Sequence, residues 1–196
     1  MANILVTTIY STDSIVLAIT KFSIDRVYLL AEEHRDDIQR NAVETLKKTY
    51  SSVVEIKEKK IPLYDIVKIT EKCIELIDAF SAKDKVYINI TPSRKTQAIG
   101  LLYAAYRRPS LVHKVIYAPD EKKEIITLPL LDFSLSESQQ RVLETIREDS
   151  SIAGLAEKVG QSRAMLYRHI KELKTKGLLE DSDGFKVTDA GRIAVM

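Results

Sequence analysis

Over the first two thirds of the chain, short continuous apolar runs alternate with stretches that carry an apolar residue every three or four positions. Continuous apolar runs are typical of strands buried on both faces, and the three-to-four spacing is typical of amphipathic helices. The runs that predict strands are residues 2–7, 26–30, 53–56 and 86–90. Four strand–helix units in succession predict right-handed crossovers and a mostly parallel, Rossmann-like α/β sheet.

The helices after the first three of these strands are predicted from their apolar faces. The predicted face residues are Ile15, Ala18, Ile19 and Phe22 in the first helix, Ile38, Ala42, Thr45, Leu46 and Thr49 in the second, and Ile66, Ile69, Cys73 and Ile77 in the third. Two β-branched runs at 113–118 and 124–128 flank a five-residue loop. This spacing allows a hairpin, so we expect an antiparallel strand at one edge of the sheet.

From Ser134 onward the apolar spacing is helical. Residues Ser136–Gln139 form a capping-box sequence that opens one helix, a second short helix ends at Gly160, and Ser162 caps a third. Residues 177–188 predict a hairpin, with a last helical turn after it. This order is that of a winged helix-turn-helix. The predicted organisation is therefore a Rossmann-like domain at 1–128, a semi-rigid linker at 129–135, and a winged helix-turn-helix domain at 136–196.

The strand at 86–90 ends in Thr91-Pro92-Ser93-Arg94-Lys95, and a helix follows at once. Open α/β sheets bind their ligands at such strand-to-helix turns. Ser93 is predicted to cap the helix, while Arg94 and Lys95 place two cations beside its free N–H groups. These features favour an anion, most naturally phosphate. The alternative from the residues alone is a capped helix with two solvated charges.

The loop at 8–13, after the first strand, is rich in hydroxyl groups and has no glycine. It lacks both the G-x-G-x-x-G of a dinucleotide site and the G-x-x-x-x-G-K-[ST] of a P-loop. Nicotinamide cofactors and ATP hydrolysis are therefore disfavoured.

The fourth helix, from Ser93 to about Arg107, is apolar almost all round and carries Gly100 in its middle. A mid-helix glycine costs about 1 kcal/mol relative to alanine, and close packing of another backbone would compensate for it. A homodimer interface and burial within one chain both explain these features.

Composition indicates a soluble globular protein, with 45% hydrophobic and 30% charged residues. We find neither a membrane span nor a signal peptide, so the expected location is the cytoplasm. Cys73 is the only cysteine and is predicted to lie in the core, and the three histidines lack metal-ligand spacing. We expect neither a metal nor a cofactor.

The formal net charge is only +2, but residues 161–176 hold five cations and one anion. A basic stripe on the third helix of a winged helix-turn-helix favours double-stranded DNA as partner, although such modules also bind proteins. Arg163 and Arg168 are predicted to contact guanine edges and Gln161 an adenine edge. The predicted phosphate contacts are Ser162, Tyr167, Lys171 and Lys186. One module makes few contacts, so we expect a dimer that reads two half-sites.

Three stretches together resemble archaeal CRISPR-associated regulators that join a CARF domain (CRISPR-associated Rossmann fold) to a winged helix-turn-helix. They are residues 4–13 (Ile-Leu-Val-Thr-Thr-Ile-Tyr-Ser-Thr-Asp), residues 89–96 (Asn-Ile-Thr-Pro-Ser-Arg-Lys-Thr) and the C-terminal module. The Asn-x-Thr-x-x-Arg-Lys pattern is the most specific part. The family often has Gly-Gly where this chain has Pro92-Ser93.

The resemblance implies a homodimer whose pocket lies across the two-fold axis and binds cyclic oligoadenylate, commonly the tetra-adenylate. It also implies a nucleotide-binding, DNA-binding regulator of transcription at CRISPR loci, in antiviral defence. The pocket residues carried over are Tyr10, Ser11, Thr12, Asp13, Thr91, Ser93, Arg94, Lys95 and Gln97.

Two alternatives remain from the sequence. Some similar proteins are ring nucleases, which cleave the cyclic oligoadenylate without a metal through attack by the ribose 2′-hydroxyl; Ser11, Lys95 and Arg94 are the catalytic candidates here. The other is a small-anion-sensing transcription factor unconnected with CRISPR. A sensor that binds without cleaving is favoured.

Overall fold

A computed structural model of the protein describes residues 1–32, 36–92, 94–119, 121, 124–131, 135–146, 151–182 and 184–195. The chain divides into two compact units, Met1–Leu128 and Pro129–Met196. Within the described residues, no helix has both the length and the apolar character needed to cross a membrane.

The first unit is built on one six-stranded sheet. Its elements in chain order are β1 (Asn3–Thr8), α1 (Asp13–Phe22), β2 (Arg26–Ala31), α2 (Asp37–Tyr50), β3 (Glu55–Lys60), α3 (Ile66–Asp78), β4 (Lys85–Asn89), α4 (Lys95–Arg107), β5 (Val112–Tyr117) and β6 (Ile126–Leu128). The strand order is β3-β2-β1-β4-β5-β6, and only the β5–β6 pair is antiparallel. The predicted Rossmann-like α/β sheet with an antiparallel edge is therefore confirmed.

The core lies around the central strands, because β1 is covered on both faces. Its Ile4, Leu5 and Val6 are completely buried, as the continuous apolar run predicts. Helix α2 differs from the prediction, since Ile38, Thr45 and Thr49 are exposed. Its buried residues are Gln39, Ala42, Val43 and Leu46. The buried face of α2 is therefore rotated relative to the predicted face, because it contains Val43 and not Ile38.

The third strand begins later than predicted. Residues 53–56 were expected to form it, but Val53 lies in a turn and is 75% exposed. The amides of Val53 and Val54 both donate to the Tyr50 carbonyl, at 3.0 and 2.8 Å, and so close the end of α2. The strand instead uses the charged residues that follow, which suit an edge strand because charges discourage pairing with another chain.

Helix α4 packs closely on α3 at Gly100. A Cβ placed on Gly100 would lie 2.6 Å from Ile69 Cγ2, so no larger residue fits without a shift. Packing within one chain therefore accounts for the mid-helix glycine. Ile99 and Tyr103 of the same helix are exposed.

The second unit consists of helices and a small hairpin. Its elements are α5 (Glu137–Ile146), α6 (Ile152–Val159), α7 (Arg163–Thr175), β7 (Leu179–Ser182), β8 (Gly184–Val187) and α8 (Asp189–Ala194). Strands β7 and β8 pair antiparallel. Val142, Leu155, Leu166 and Leu173 are buried between the helices.

The predicted helix signals of this unit are confirmed. The Ser136 amide donates to Gln139 Oε1 at 3.0 Å, and the Gln139 amide donates to Ser136 Oγ at 3.3 Å, which is the reciprocal pair of a capping box. Gly160 ends α6 with φ at +69°, in the left-handed region that glycine adopts without strain. Ser162 caps α7 by accepting from the Met165 amide at 3.3 Å.

Candidate functional site

The sheet order brings together the two loops that sequence reasoning selected. Strands β1 and β4 are parallel neighbours, so their carboxyl ends lie at the same edge. Thr8 Oγ1 donates to the Pro92 carbonyl at 3.1 Å, and Asn89 Nδ2 donates to Ser14 Oγ at 3.2 Å. These bonds join the end of each strand to the loop or helix that follows the other.

The first loop presents polar groups at the start of α1. Tyr10, Ser11 and Asp13 are exposed, and Thr12 is half-buried. Thr12 occupies the N-cap position without a side-chain capping bond, and its hydroxyl donates to Asp13 Oδ1 at 3.4 Å. The first turn of α1 therefore lacks a side-chain cap, the condition under which helix N–H groups bind an anion.

The second loop is held in place by Thr91. Its amide donates to Asn89 Oδ1 at 3.1 Å, and its Oγ1 accepts from the Ala118 amide at 2.8 Å. Ser93, predicted to cap α4, lies outside the described residues. The N-cap position belongs to Arg94, which forms no side-chain capping bond, so the assignment of the cap to Ser93 is corrected.

The two predicted cations have different surroundings. Arg94 Nε donates to Glu32 Oε1 at 3.0 Å, and Arg94 Nη2 lies 3.9 Å from Asp36 Oδ2. The hydrogen bond to Glu32 raises the Arg94 pKa, and Asp36 adds to the effect. Glu32 is buried and also accepts from Gln39 Nε2 at 3.2 Å.

Lys95 is exposed and forms no ion pair with any residue that the structure describes. It is therefore the cation of this loop whose charge is least compensated. Sequence reasoning missed Glu32 and Asp36, because they belong to the segment after β2 and no local pattern links them to Arg94.

Thr96 and Gln97 connect α4 to the segment after β3. Thr96 Oγ1 donates to the Leu63 carbonyl at 2.7 Å, and Gln97 Nε2 donates to the Pro62 carbonyl at 3.4 Å. Gln97, predicted to bind ligand, is buried. Its observed role is to hold this neighbouring loop against the first turn of α4.

The site combines two helix starts whose N-cap residues, Thr12 and Arg94, form no capping bond within the described part of the chain, together with several hydroxyl groups and Lys95. This chemistry suits an anionic ligand with more than one phosphate group. Across the described residues, no three His, Cys, Asp or Glu side chains come together in a way that could hold a metal ion. Cys73 lies in the core of α3, where burial raises its thiol pKa to about 12.

A second surface lies on α7. Ser162, Arg163, Tyr167, Arg168 and Lys171 are exposed there. The Gln161 side-chain oxygen Oε1 is buried and accepts no hydrogen bond from any residue that the structure describes, so only part of that side chain faces solvent.

On this surface Glu172 and Glu180 form ion pairs with basic side chains, and Gln139 donates a hydrogen bond to Glu172. Arg168 Nε lies 3.3 Å from Glu172 Oε1, and Gln139 Nε2 donates to Glu172 Oε2 at 2.8 Å. On the hairpin, Lys186 Nζ pairs with Glu180 Oε1 at 2.8 Å. Arg163 and Lys171 form no ion pair within the described part of the chain.

The family model described as "HFX_2341_N:-like, N-terminal" matches residues 4–122. This range contains β2 to β5 and all of β1 except its first residue, and it ends before β6. No curated protein matches the chain.

Solved structures with this fold include three proteins of low sequence identity. Can2 from Sulfobacillus thermosulfidooxidans, in complex with cyclic tetra-adenylate, aligns with a TM-score of 0.54 at 16% identity over 98% of this chain and 63% of its own. Enterococcus italicus Csm6, bound to cyclic hexa-2′-fluoro-hexa-dAMP, has a TM-score of 0.57 at 13% identity over 89% and 54%. VC1899 from Vibrio cholerae has a TM-score of 0.50 at 12% identity over 98% and 64%. The chain spans less than two thirds of each of these proteins.

Proposed function

The chain belongs to the HFX_2341_N-like, N-terminal family, and from this membership and the geometry of its strand ends we propose that it is a CARF-type cyclic oligoadenylate sensor. The first unit binds the nucleotide. The second unit is a winged helix-turn-helix that binds double-stranded DNA. The protein acts as a homodimeric, CRISPR-associated regulator of transcription.

The hydrogen bond between Thr8 and the Pro92 carbonyl is the observation that carries the proposal. It joins the loops after β1 and β4, and between these two strands the chain order of the sheet reverses direction. Ligands of open α/β sheets bind in the crevice outside the carboxyl ends at such a switch point. Can2 and Csm6, which share the fold, were each solved with a cyclic oligonucleotide, which supports this class of ligand.

The polar groups at the crevice match a phosphate ring. The N-cap residues Thr12 of α1 and Arg94 of α4 form no side-chain capping bond, so the N–H groups and positive dipole ends of both helices are available to an anion among the described residues. Lys95 adds a positive charge, and Tyr10, Ser11, Thr12 and Thr91 add hydroxyl groups. Arg94 contributes charge in a fixed position, since Glu32 holds it.

A homodimer suits the symmetry of the ligand. A cyclic tetra-adenylate has two-fold symmetry, and two copies related by a two-fold axis would present identical pairs of helix starts to it. The exposed Ile99 and Tyr103 of α4 supply apolar surface for contact between the copies. Binding then favours one relative placement of the two recognition helices.

The DNA half of the proposal rests on α7. A helix of this kind enters the major groove with its outward early residues toward the bases. In this proposal Arg163 and Arg168 read guanine, and Tyr167 and Lys171 contact phosphates.

Binding of cyclic tetra-adenylate to the full chain tests the sensor proposal, by calorimetry with Lys95→Ala beside the wild type. Loss of one uncompensated charge at the phosphates should weaken binding by about tenfold, as charge-assisted hydrogen bonds are worth about 1.5–3 kcal/mol. Lys48→Ala removes the same charge from an exposed position of α2 and should leave binding unchanged.

Equal effects of the two substitutions would reject the phosphate contact at Lys95. A wild-type protein that does not bind the nucleotide would reject the sensor, and the small-anion-sensing regulator would then account for the same fold.

A ring nuclease is a second candidate, favoured by the exposed Lys95 beside the exposed hydroxyl-bearing loop. In this reaction the ribose 2′-oxygen loses its proton to solvent and bonds to the adjacent phosphorus, while the bond from phosphorus to the 5′-oxygen of the next nucleotide breaks. The products are a 2′,3′-cyclic phosphate and a 5′-hydroxyl that takes its proton from solvent. A cation would stabilise the charge that develops on the phosphate, with Ser11 positioning the phosphate. Chromatography of the nucleotide after incubation without metal separates the two functions. A linear product that Lys95→Ala abolishes indicates cleavage, and intact nucleotide indicates a sensor that only binds.

A further inference from the structure

Tyr64 is a large aromatic side chain left exposed near the candidate site. It follows β3, whose carboxyl end lies at the same edge of the sheet as those of β1 and β4, because these strands are parallel. The residue is 72% exposed, the highest exposure among the large aromatic residues that the structure describes as exposed.

The segment that carries Tyr64 is fixed rather than merely near the site. Ile61 is buried, and its amide donates to the Ala31 carbonyl at 2.9 Å. From the other side, Thr96 Oγ1 holds the Leu63 carbonyl at 2.7 Å and Gln97 Nε2 holds the Pro62 carbonyl at 3.4 Å. The backbone on the N-terminal side of Tyr64 is thus attached to the first turn of α4, the helix that begins beside Lys95.

The backbone after Tyr64 is fixed as well, because Asp65 caps α3 by accepting from the Lys68 amide at 3.1 Å. Tyr64 is among the groups that raise the Arg94 pKa, with a smaller effect than Glu32. Arg94 is itself held by Glu32. An exposed aromatic ring on a fixed backbone, next to a phosphate-binding helix start, is the arrangement that proteins use to hold a nucleobase by stacking.

We propose that Tyr64 stacks on an adenine base of the bound nucleotide, so that the loop between β3 and α3 forms a third wall of the pocket. The inference rests on the proposed function and adds the base-binding residue to it. Phosphate is held by the helix starts and Lys95, whereas Tyr64 provides affinity for the base. Thr96 and Gln97 act as positioning residues, because they place the loop without contacting the ligand.

Two substitutions at Tyr64 separate stacking from other roles of the side chain. Tyr64→Ala removes the ring and should weaken binding of cyclic tetra-adenylate to the full chain by about tenfold or more, the usual effect of losing one base–aromatic contact. Tyr64→Phe keeps the ring without the hydroxyl and should bind within about twofold of wild type. Because the side chain is exposed, both variants should unfold at the wild-type temperature.

A spectroscopic test is available because the chain has no tryptophan. Tyr64→Trp introduces a single indole, whose fluorescence should be quenched as cyclic tetra-adenylate is added and adenine stacks on it. Val53→Trp is the matched control. Val53 is 75% exposed and precedes β3, whereas Tyr64 follows it, so the control indole lies at the opposite end of the same strand. Its fluorescence should not change.

The failures of the two proposals are distinguishable. If the wild type binds the nucleotide and Lys95→Ala weakens it, but Tyr64→Ala binds normally, the stacking role is overturned and the sensor stands. Equal quenching of both indoles, or of neither, also overturns it. If the wild type does not bind cyclic tetra-adenylate, the sensor and the stacking role are rejected together.

Discussion

At the scale of single residues, two neighbouring cations of the candidate site differ in their ion pairs. Arg94 is held by the buried Glu32 and lies near Asp36, while Lys95 forms no ion pair within the described residues. The charge of Arg94 is therefore largely compensated in the free protein. The affinity of the site for an anion should depend on how much of that compensation is removed.

Glu32→Gln tests this balance. The amide oxygen can still accept from Arg94 Nε, but the negative charge is gone, so binding of cyclic tetra-adenylate should tighten by several-fold. Stability should fall only slightly, because solvent around the partly exposed Arg94 reduces the cost of losing its partner. Calorimetry and urea unfolding measure the two effects.

Asp78→Asn is the matched control for Glu32→Gln. Asp78 accepts two hydrogen bonds from Arg108, at 2.6 and 2.9 Å, and both residues lie at the C-terminal ends of their helices, α3 and α4. Its loss removes an equivalent carboxylate away from the site and should leave nucleotide affinity unchanged. Binding that is unchanged or weaker in Glu32→Gln would contradict the compensation argument.

Sequence reasoning identified the cations of this site but not the residues that position them. Arg94 and Lys95 follow a strand directly, so their place at its end could be predicted from the local pattern. Glu32 is 62 positions away from Arg94, and Leu63 is 33 positions away from Thr96. Such pairs meet only once the sheet order is known, and no local periodicity encodes them.

At the scale of elements, the contact between α3 and α4 fixes the helix that opens at Lys95. Gly100 allows the close approach, since a Cβ there would lie 2.6 Å from Ile69 Cγ2 and 3.5 Å from Thr70 Oγ1. Thr70 Oγ1 also lies 3.3 Å from the Gly100 carbonyl and can donate to it. The packing of one helix face thereby positions the end of α4 at which we propose that an anion binds.

Gly100→Ala should destabilise the protein despite the higher helix propensity of alanine. The propensity gain is about 1 kcal/mol, and overpacking of a close helix contact costs about 1–3 kcal/mol, so a net loss of about 1 kcal/mol is expected in urea unfolding. In an Ile69→Ala background the colliding methyl group is absent, and the same substitution should become neutral or stabilising. A stabilising effect in the wild-type background would contradict the close packing.

Elements with their own local signals were predicted better than those without. The capping box at Ser136 and the glycine stop at Gly160 are both confirmed, because short-range hydrogen bonds and backbone conformation decide them. Strand β3 was misplaced, since its charged residues carry no apolar run and the valines before it close the end of α2. The residues of β3 form a strand because they occupy the edge of the sheet, and not because they are hydrophobic.

At the scale of the whole molecule, the formal net charge is only +2, but residues 161–176 hold five cations and one anion. Such a basic stripe attracts a polyanion, while the rest of the surface has no comparable electrostatic attraction for it. Binding to DNA through phosphates depends on salt, because each neutralised phosphate releases counterions. The slope of log affinity against log salt concentration therefore reports the number of phosphates that the basic stripe contacts.

Arg168→Ala and Lys171→Ala should affect DNA binding by different amounts. Full-length protein is titrated with double-stranded DNA at several salt concentrations. Lys171→Ala should lower the slope of log affinity against log salt by about 0.9, because it removes a phosphate contact, whereas Arg168→Ala removes a base contact and should leave the slope nearly unchanged. Loss of Arg168 should cost about 1–3 kcal/mol where it reads a guanine, and Lys171 less, as a phosphate contact. Removing Arg168 should not disturb the fold, because Gln139 still holds Glu172 at 2.8 Å.

Lys83→Ala, which removes one exposed charge from the first unit, is the control for general electrostatic attraction. It should leave the slope unchanged if the DNA contacts α7, because a lysine that neutralises no phosphate releases no counterion. An equal change of slope in all three variants would mean that the DNA is attracted by net charge alone. The assignment of α7 as the recognition helix would then be wrong, while the nucleotide site on the first unit would be unaffected.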